Sequence, residues 1–413
     1  MKINKKTQDT ILRGFLFSTV ILLIIRFGTF LPVPGVNHND LAFYVQRHSA
    51  TKNLINTFSG ENTLILGLFT LNIFPYINAT ILLQLISAFS PKLSKLQKEG
   101  DIASSRYINR LTRFLSLGLS IFQSIGITIY LKQILFDWNI FLALDIVLWL
   151  TTGSMIVLWL SELIMDYGLG NGTSLLIYAN IVSNLPNLLK TLINENKENF
   201  NSFSILGTIG VIFVSFYGIV ILQKGTRKIP LISSKQLNQS YLQNQDESYL
   251  PLRFNQAGVM PIILTTASLV LPNYIVNLKI FQWLSFLTSF KFFYWISYFA
   301  LILGFSSFYS FIVLNPKDLS DQLQKMAVTV PGLRPGVQTV FYLKQVITRI
   351  TLIGATMLAT VTIVPNLIET SLNITGISNV SITSLLILAG VILDITREIE
   401  NIYFSTIYND SYE

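Results

Sequence analysis

The chain is 413 residues long, 51% hydrophobic and only 12% charged, with a formal net charge of +8. A soluble globular domain carries roughly 25% charged residues, so most of this chain sits where charge is expensive, and its class is membrane. The absence of cysteine excludes disulfides, thiol nucleophiles and Cys-ligated metal sites. Two lone imidazoles, His38 and His48 in one polar stretch, argue against a metal site or a proton relay. Asn outnumbers Ala 29 to 14, a bias expected of an AT-rich coding genome such as an organelle's or a low-GC bacterium's.

The N-terminus, Met1-Lys2-Ile3-Asn4-Lys5-Lys6, leads into an apolar run. The run is too long for a signal peptide, carries Arg26, lacks a small-residue cleavage site and is followed by many similar segments, so it reads as a retained first transmembrane helix. Segments 15–31, 73–90, 114–131, 145–165, 173–190, 205–223, 257–275, 292–314, 346–365 and 381–396 are each long and apolar enough to predict a span. Only helices fit, because a lipid-exposed backbone must satisfy its own hydrogen bonds. With the N-terminus inside, the inside segments hold 21 Lys and Arg and the outside segments 7. That asymmetry supports the orientation, and an even number of spans returns the C-terminus to the same side. It also explains the basic charge without nucleic acid. Two inside loops, about 224–256 and 315–345, are longer than topology needs, which marks them as functional candidates. A basic loop there would suit ribosomal RNA phosphates or an acidic partner.

Residues 51–71 are moderately apolar, too short to span, and broken by Gly60 and Gly67. They form either an interfacial helix or a re-entrant piece, since breaks at membrane depth are tolerated only inside protein or against water. The second span opens Asn72-Ile73-Phe74-Pro75-Tyr76-Ile77 and the seventh Gly258-Val259-Met260-Pro261-Ile262-Ile263. Each is second in its set of five, and five spans per half force the halves, 1–190 and 191–413, to run in opposite senses, an inverted repeat. Both prolines also fit plain helix N-termini, where proline is tolerated.

Enzyme chemistry is absent from the pattern. Gly168-Leu169-Gly170-Asn171-Gly172 lacks both the spacing and the strand–helix context of a dinucleotide loop, and there is no P-loop. Asn78-Ala79-Thr80, Asn171-Gly172-Thr173 and Asn373-Ile374-Thr375 match the glycosylation sequon, as an Asn-rich chain does by chance. Glu162, Asp166 and Asp394, near inner ends of spans, read as interfacial ion partners. No cofactor is called for.

Five stretches in order then become specific: 57–85 (TFSGENTLILGLFTLNIFPYINATILLQL), 96–127 (LQKEGDIASSRYINRLTRFLSLGLSIFQSIGI), 168–182 (GLGNGTSLLIYANIV), 249–264 (YLPLRFNQAGVMPIIL) and 330–355 (VPGLRPGVQTVFYLKQVITRITLIGA). Together they resemble the SecY family, the large pore-forming subunits of the bacterial and plastid Sec translocon, from about residue 13 to 405. Composition, length and a short tail after Arg397 look like an algal plastid-encoded member.

The resemblance implies an all-α membrane protein. Ten helices in two inverted five-helix halves surround a central pore, clamped by SecE, with a short re-entrant plug helix at 54–66. It implies a pore ring of Ile73, Ile77, Ile177, Ile181, Ile263 and Ile387, a hydrophobic constriction that gates by dewetting. Periodicity alone would make these isoleucines ordinary core, though 73/77 and 177/181 do share helix faces. The plug carries Leu54, Ile55, Phe58, Leu64 and Ile65. The lateral gate, spans two and three facing seven and eight, holds the polar Gln84, Gln123 and Thr265, which also suit plain interhelical hydrogen bonds. Arg334, flanked by Pro331-Gly332 and Pro335-Gly336, is presented by a rigid turn. With Lys224, Arg227, Lys228 and Arg253 it matches the docking loops for the motor ATPase SecA and the ribosome. Asp246 and Glu247 depart from that pattern and weigh against the ribosome.

The remaining implied partners are a SecG-like subunit, signal-sequence-bearing polypeptides and membrane lipid. The implied location is the plastid thylakoid membrane, with a bacterial inner membrane as the alternative, and both termini on the stromal or cytosolic side. An inverted-repeat secondary transporter is the competing function. It needs an ionisable group near mid-membrane, and spans two, five and seven place apolar side chains there instead.

Overall fold

The computed structural model describes residues 5–34, 67–90, 101–132, 139–183, 202–233, 249–256, 291–372 and 382–410, together with isolated positions between them. The elements in chain order are α1 (Lys5–Thr29), α2 (Phe74–Phe89), α3 (Ile102–Leu131), α4 (Ile140–Tyr167), α5 (Gly172–Ser183) and α6 (Ser202–Lys224). Then come β1 (Thr226–Pro230), β2 (Ile232–Ser233), β3 (Tyr249–Arg253), α7 (Lys291–Val313), α8 (Pro316–Lys325), β4 (Val328–Thr329), α9 (Val337–Leu372) and α10 (Ile382–Asp410). Among the described residues, five stretches are long and apolar enough to cross a membrane: Ile11–Thr29, Ile102–Ile129, Ile140–Tyr167, Trp295–Lys325 and Val337–Pro365. Shorter apolar helices lie at Phe74–Ser87, Gly172–Ser183 and Phe213–Lys224. The plug residues Leu54, Ile55, Phe58, Leu64 and Ile65 lie outside the described residues.

Several helices outrun their apolar segments. At 1.5 Å per residue, α9 is about 54 Å long against about 30 Å of hydrocarbon, so its helix continues well into water. Helix α3 starts at Ile102, where the Asp101 carboxylate accepts from the Ile102 N–H at 2.8 Å. It carries Arg106, Arg110 and Arg113 before its apolar part begins.

The chain forms two compact units, one of residues 1–190 with 391–413 and the other of 191–390. In the first, α3 packs against both α2 and α4, and α1 packs against α4. The seam of α3 is a buried stripe at i, i+4 spacing: Thr112, Ser116, Ser120, Ser124 and Thr128. Small side chains let helices approach where lipid supplies no hydrophobic drive. The hydroxyls of Thr112, Ser124 and Thr128 satisfy themselves on the carbonyls one turn back, at 2.6–2.8 Å. Ser18 ties α1 to the end of α4, its Oγ accepting from the Leu169 N–H at 2.9 Å.

Between α1 and α2 the chain runs non-helically through residues 67–73, buried except at the half-buried Leu68, with Leu71 at 0% exposure. Gly67 bridges to Pro32, and the Leu68 N–H donates to Leu31 O at 2.8 Å. The approach to α4 is closer than any side chain allows: a Cβ on Gly153 would lie 2.0 Å from Leu68 O. Asn72 closes the segment in the left-handed region (φ +47°), which Asn tolerates. Its side chain accepts from the Ile73 N–H at 2.8 Å, and Pro75 stands in the first turn of α2.

In the second unit α9 packs against α6, α7 and α8. The apolar centre comprises Ile219 and Leu222 of α6, Tyr298 and Ile302 of α7, Leu358 and Ala359 of α9, and Leu386 and Ala389 of α10, with Ile262. Ser310 of α7 and Thr351 of α9 share a buried hydrogen bond of 2.8 Å.

Candidate functional site

The described residues of the two long basic loops form regular structure. Residues 226–230 and 249–253 pair antiparallel from Thr226↔Arg253 to Pro230↔Tyr249, each strand burying one apolar side chain. Ile229 and Leu252 face inward, at 1% and 3% exposure. Lys228, Tyr249 and Arg253 share the opposite face by strand parity, and Lys228 Nζ sits 4.4 Å from the Tyr249 ring centroid. The second loop joins the first through β2 and β4, with Ile232↔Thr329 and Ser233↔Val328.

Beneath these strands lies one apolar core drawn from both loops and from α9: Ile229, Leu252, Leu323, Val330, Leu343, Val346, Ile347 and Ile350. Helix α8 enters this core through Leu323. Its start is fixed by Asn315, whose side chain accepts from the Lys317 N–H at 3.1 Å, with Pro316 at the first position. The loops therefore constitute a folded module seated on the first turns of α9. Among its described residues are nine cations (Lys224, Arg227, Lys228, Arg253, Lys317, Lys325, Arg334, Lys344 and Arg349) and two carboxylates, Asp318 and Asp321.

Arg334 is held by its backbone and displayed by its side chain. The Leu333 N–H returns to Val330 O at 3.2 Å across Pro331-Gly332, a type II turn whose third residue requires the positive φ that Gly332 adopts (+76°). The Arg334 N–H donates to Gln338 Oε1 at 3.3 Å, and its carbonyl accepts from Thr339 Oγ1 at 2.9 Å. Its side chain is exposed, as are those of Lys224, Arg227, Lys228 and Arg253.

Of the isoleucines singled out for a ring, Ile73 and Ile77 are buried at the start of α2, and Ile177 and Ile181 are half-buried on α5. Ile263 lies outside the described residues, and Ile387 is described only as a position on α10. Thr265 is fully buried, donating from Oγ1 to Pro261 O at 2.7 Å. Gln84 of α2 and Gln123 of α3 are half-buried, yet each keeps a buried Oε1 with no hydrogen-bond donor among the described residues. Burying an amide oxygen without a donor is unfavourable by about 1–3 kcal/mol, so both sit where polarity is retained against stability. Glu162 pairs with Arg113 across α4 and α3 at 2.8 Å, and Asp394 with Arg397 at 3.5 Å, in keeping with ion-partner roles.

Two features were missed in the sequence. Gln223, a polar side chain at the end of the apolar 205–223 run, donates to Leu386 O at 3.4 Å and ties α6 to α10 next to Ile387. Tyr249 is the other, and the alternation Tyr249-Leu250-Pro251-Leu252-Arg253 was its available signal.

The sequence model of the SecY family matches residues 67–396. Among curated proteins, a protein translocase subunit SecY of Trieres chinensis is 57% identical over 98% of this chain and 99% of the relative. That of Porphyra purpurea is 41% identical over 98% and 99%, and that of Synechococcus elongatus 39% identical over 97% and 94%. Among solved structures, one of a protein conducting channel superposes with a TM-score of 0.62 at 15% identity, covering 97% of this chain and 94% of that one. Sec61 in the canine ribosome-channel complex superposes with a TM-score of 0.60 at 14% identity, covering 97% and 94%. These likenesses carry the fold.

Proposed function

The chain belongs to the SecY family, and from that premise we propose how it serves as the protein-conducting channel subunit of a Sec translocon. It passes unfolded polypeptides across the membrane and releases hydrophobic segments sideways into lipid. Ten helices in two inverted halves, 1–190 and 191–413, enclose the path. Ile73, Ile77, Ile177, Ile181, Ile263 and Ile387 form an apolar ring that yields around a passing chain while giving it no polar contacts. The segment 54–66, with Leu54, Ile55, Phe58, Leu64 and Ile65, plugs the outer funnel at rest. Gln84, Gln123 and Thr265 weaken the lateral seam so that a signal sequence parts it.

The observation that carries the mechanism is the fused basic module. A passive channel needs an external motor, and this module offers nine cations, including a backbone-locked Arg334, on one rigid support. SecA, and ribosomes as a second partner, dock here, with SecE and a SecG-like subunit at the membrane. The canine relative is seen in a ribosome-channel complex, which supports the ribosome as such a partner. Algal relatives at 57% and 41% identity, together with the Asn-rich composition, support a plastid membrane, the thylakoid, with both termini on the stromal side.

The test is a reconstituted one. Proteoliposomes holding the chain with SecE, given SecA, ATP and a secretory precursor, should protect the precursor from added protease. Arg334→Glu should abolish protection while the complex still assembles. Equal protection by Arg334→Glu would remove the module from the mechanism.

A further inference from the structure

Helix α9 begins with two large apolar side chains that no described residue covers: Val337 is 86% exposed and Phe341 70%. At i and i+4 they stand on one face, and Lys344 extends that face by a further turn. The opposite face, with Leu343, Val346 and Ile347, is sealed into the module's core, so the exposed pair is not a face turned outward by poor packing.

Lipid is not its partner. The exposed strip becomes apolar again only at Leu352 and Ile353, about 16 Å further along the axis at 1.5 Å per residue. The exposed cations Lys344 and Arg349 lie between. Lysine and arginine mark the headgroup level, which leaves Val337 and Phe341 on the water side of it. A second copy of the chain is also a poor occupant, because a symmetric contact would bring two strongly cationic modules together. RNA would meet the cations but has no use for an exposed aliphatic Val337 beside them. A protein helix with an apolar stripe and acidic flanks fits both features, the apolar anchors and the exposed cations that flank them along the chain, Arg334 just before and Lys344 just after.

We propose that Val337 and Phe341 are the apolar anchors of a docking surface that receives an acidic amphipathic helix from a soluble partner. The inference rests on the docking role of the module proposed above and names the chemistry of the contact. Apolar burial gives such a contact strength that salt does not screen, while the surrounding cations steer the approach and are screened.

The test uses the full chain with SecE in lipid nanodiscs and two probes, SecA and empty ribosomes. Val337→Ser and Phe341→Ser change exposed positions and leave the module's core intact. Each should lower SecA affinity, Phe341→Ser at least about tenfold, by the same factor at low and at high salt. Arg334→Ala should lower it mainly at low salt. A photo-crosslinker at position 341 should label a helix of SecA. SecA binding that both serine variants leave unchanged would overturn the inference and leave the docking role standing. Loss of ribosome binding in place of SecA binding would assign the strip to a ribosomal contact and overturn it. Failure of the unaltered chain to bind SecA would remove the docking role and the inference together.

Discussion

Replacing Gly153 by alanine tests how tightly the segment leading into α2 is held. The added Cβ would lie 2.0 Å from Leu68 O, a backbone atom with no rotamer to yield. Ordinary carbon–oxygen contact needs more than an ångström beyond that, so α4 and residues 67–73 must separate by about that amount. Overpacking of this kind is destabilising by about 1–3 kcal/mol. The shift also strains the Leu68 N–H to Leu31 O bond of 2.8 Å in a buried segment, and leaving that donor unsatisfied adds about 1–3 kcal/mol. A total of about 2–6 kcal/mol is expected, read as a shifted midpoint in SDS-titrated unfolding followed by tryptophan fluorescence. Gly126→Ala on α3 is the matched control, because nothing stands within 4 Å of its Cβ position. It should leave the midpoint unchanged or raise it, since alanine is the better helix former. Equal midpoints for Gly153→Ala and the unaltered chain would refute the clamped segment.

Three further substitutions separate the remaining interactions. Leu323→Ala removes a core side chain of the basic module, 4% exposed; a loss of about 2–5 kcal/mol is expected, seen as faster proteolysis within 315–345 while the apolar helices stay resistant. Glu162→Gln breaks the 2.8 Å pair with Arg113, whose side chain is 53% exposed; the change should stay below about 1 kcal/mol and shrink in salt, and a larger, salt-independent loss in the same unfolding titration would contradict the assignment. Gln84→Leu deletes a buried, unpartnered acceptor; unfolding should become harder by about 1–3 kcal/mol, and precursors with weakly hydrophobic signal sequences should translocate more slowly, whereas faster translocation would contradict the gate role.

Hydropathy reads runs of apolar residues, and the helix ends are set by other, local signals. The second span, predicted over 73–90, is observed as Phe74–Phe89 because Pro75 and the preceding Asn72 set its start locally. The third and ninth were predicted short, at 114–131 and 346–365, because the turns before them carry Arg106, Arg110, Arg113 and Lys344; the helices themselves run Ile102–Leu131 and Val337–Leu372. Arg334's display was legible because its two Pro-Gly pairs act within a few residues. The union of the two loops was not, since Ile232 pairs with Thr329 across nearly a hundred residues and no local pattern encodes such a partner. The isoleucine ring had no physical signature beyond apolarity, so its assignment came from resemblance. Burial of Ile73 and Ile77 agrees with a closed constriction and with a packed core alike.

A single cysteine distinguishes these two, and the cysteine-free chain makes it clean. With Ile77→Cys in the channel and one cysteine in a secretory precursor stalled in transit on SecA, oxidation should give a disulfide that requires the precursor's signal sequence. No crosslink from Ile77→Cys, Ile181→Cys or Ile263→Cys, in complexes that demonstrably bind SecA, would contradict a polypeptide path through these isoleucines and reopen the inverted-repeat transporter as the working scheme.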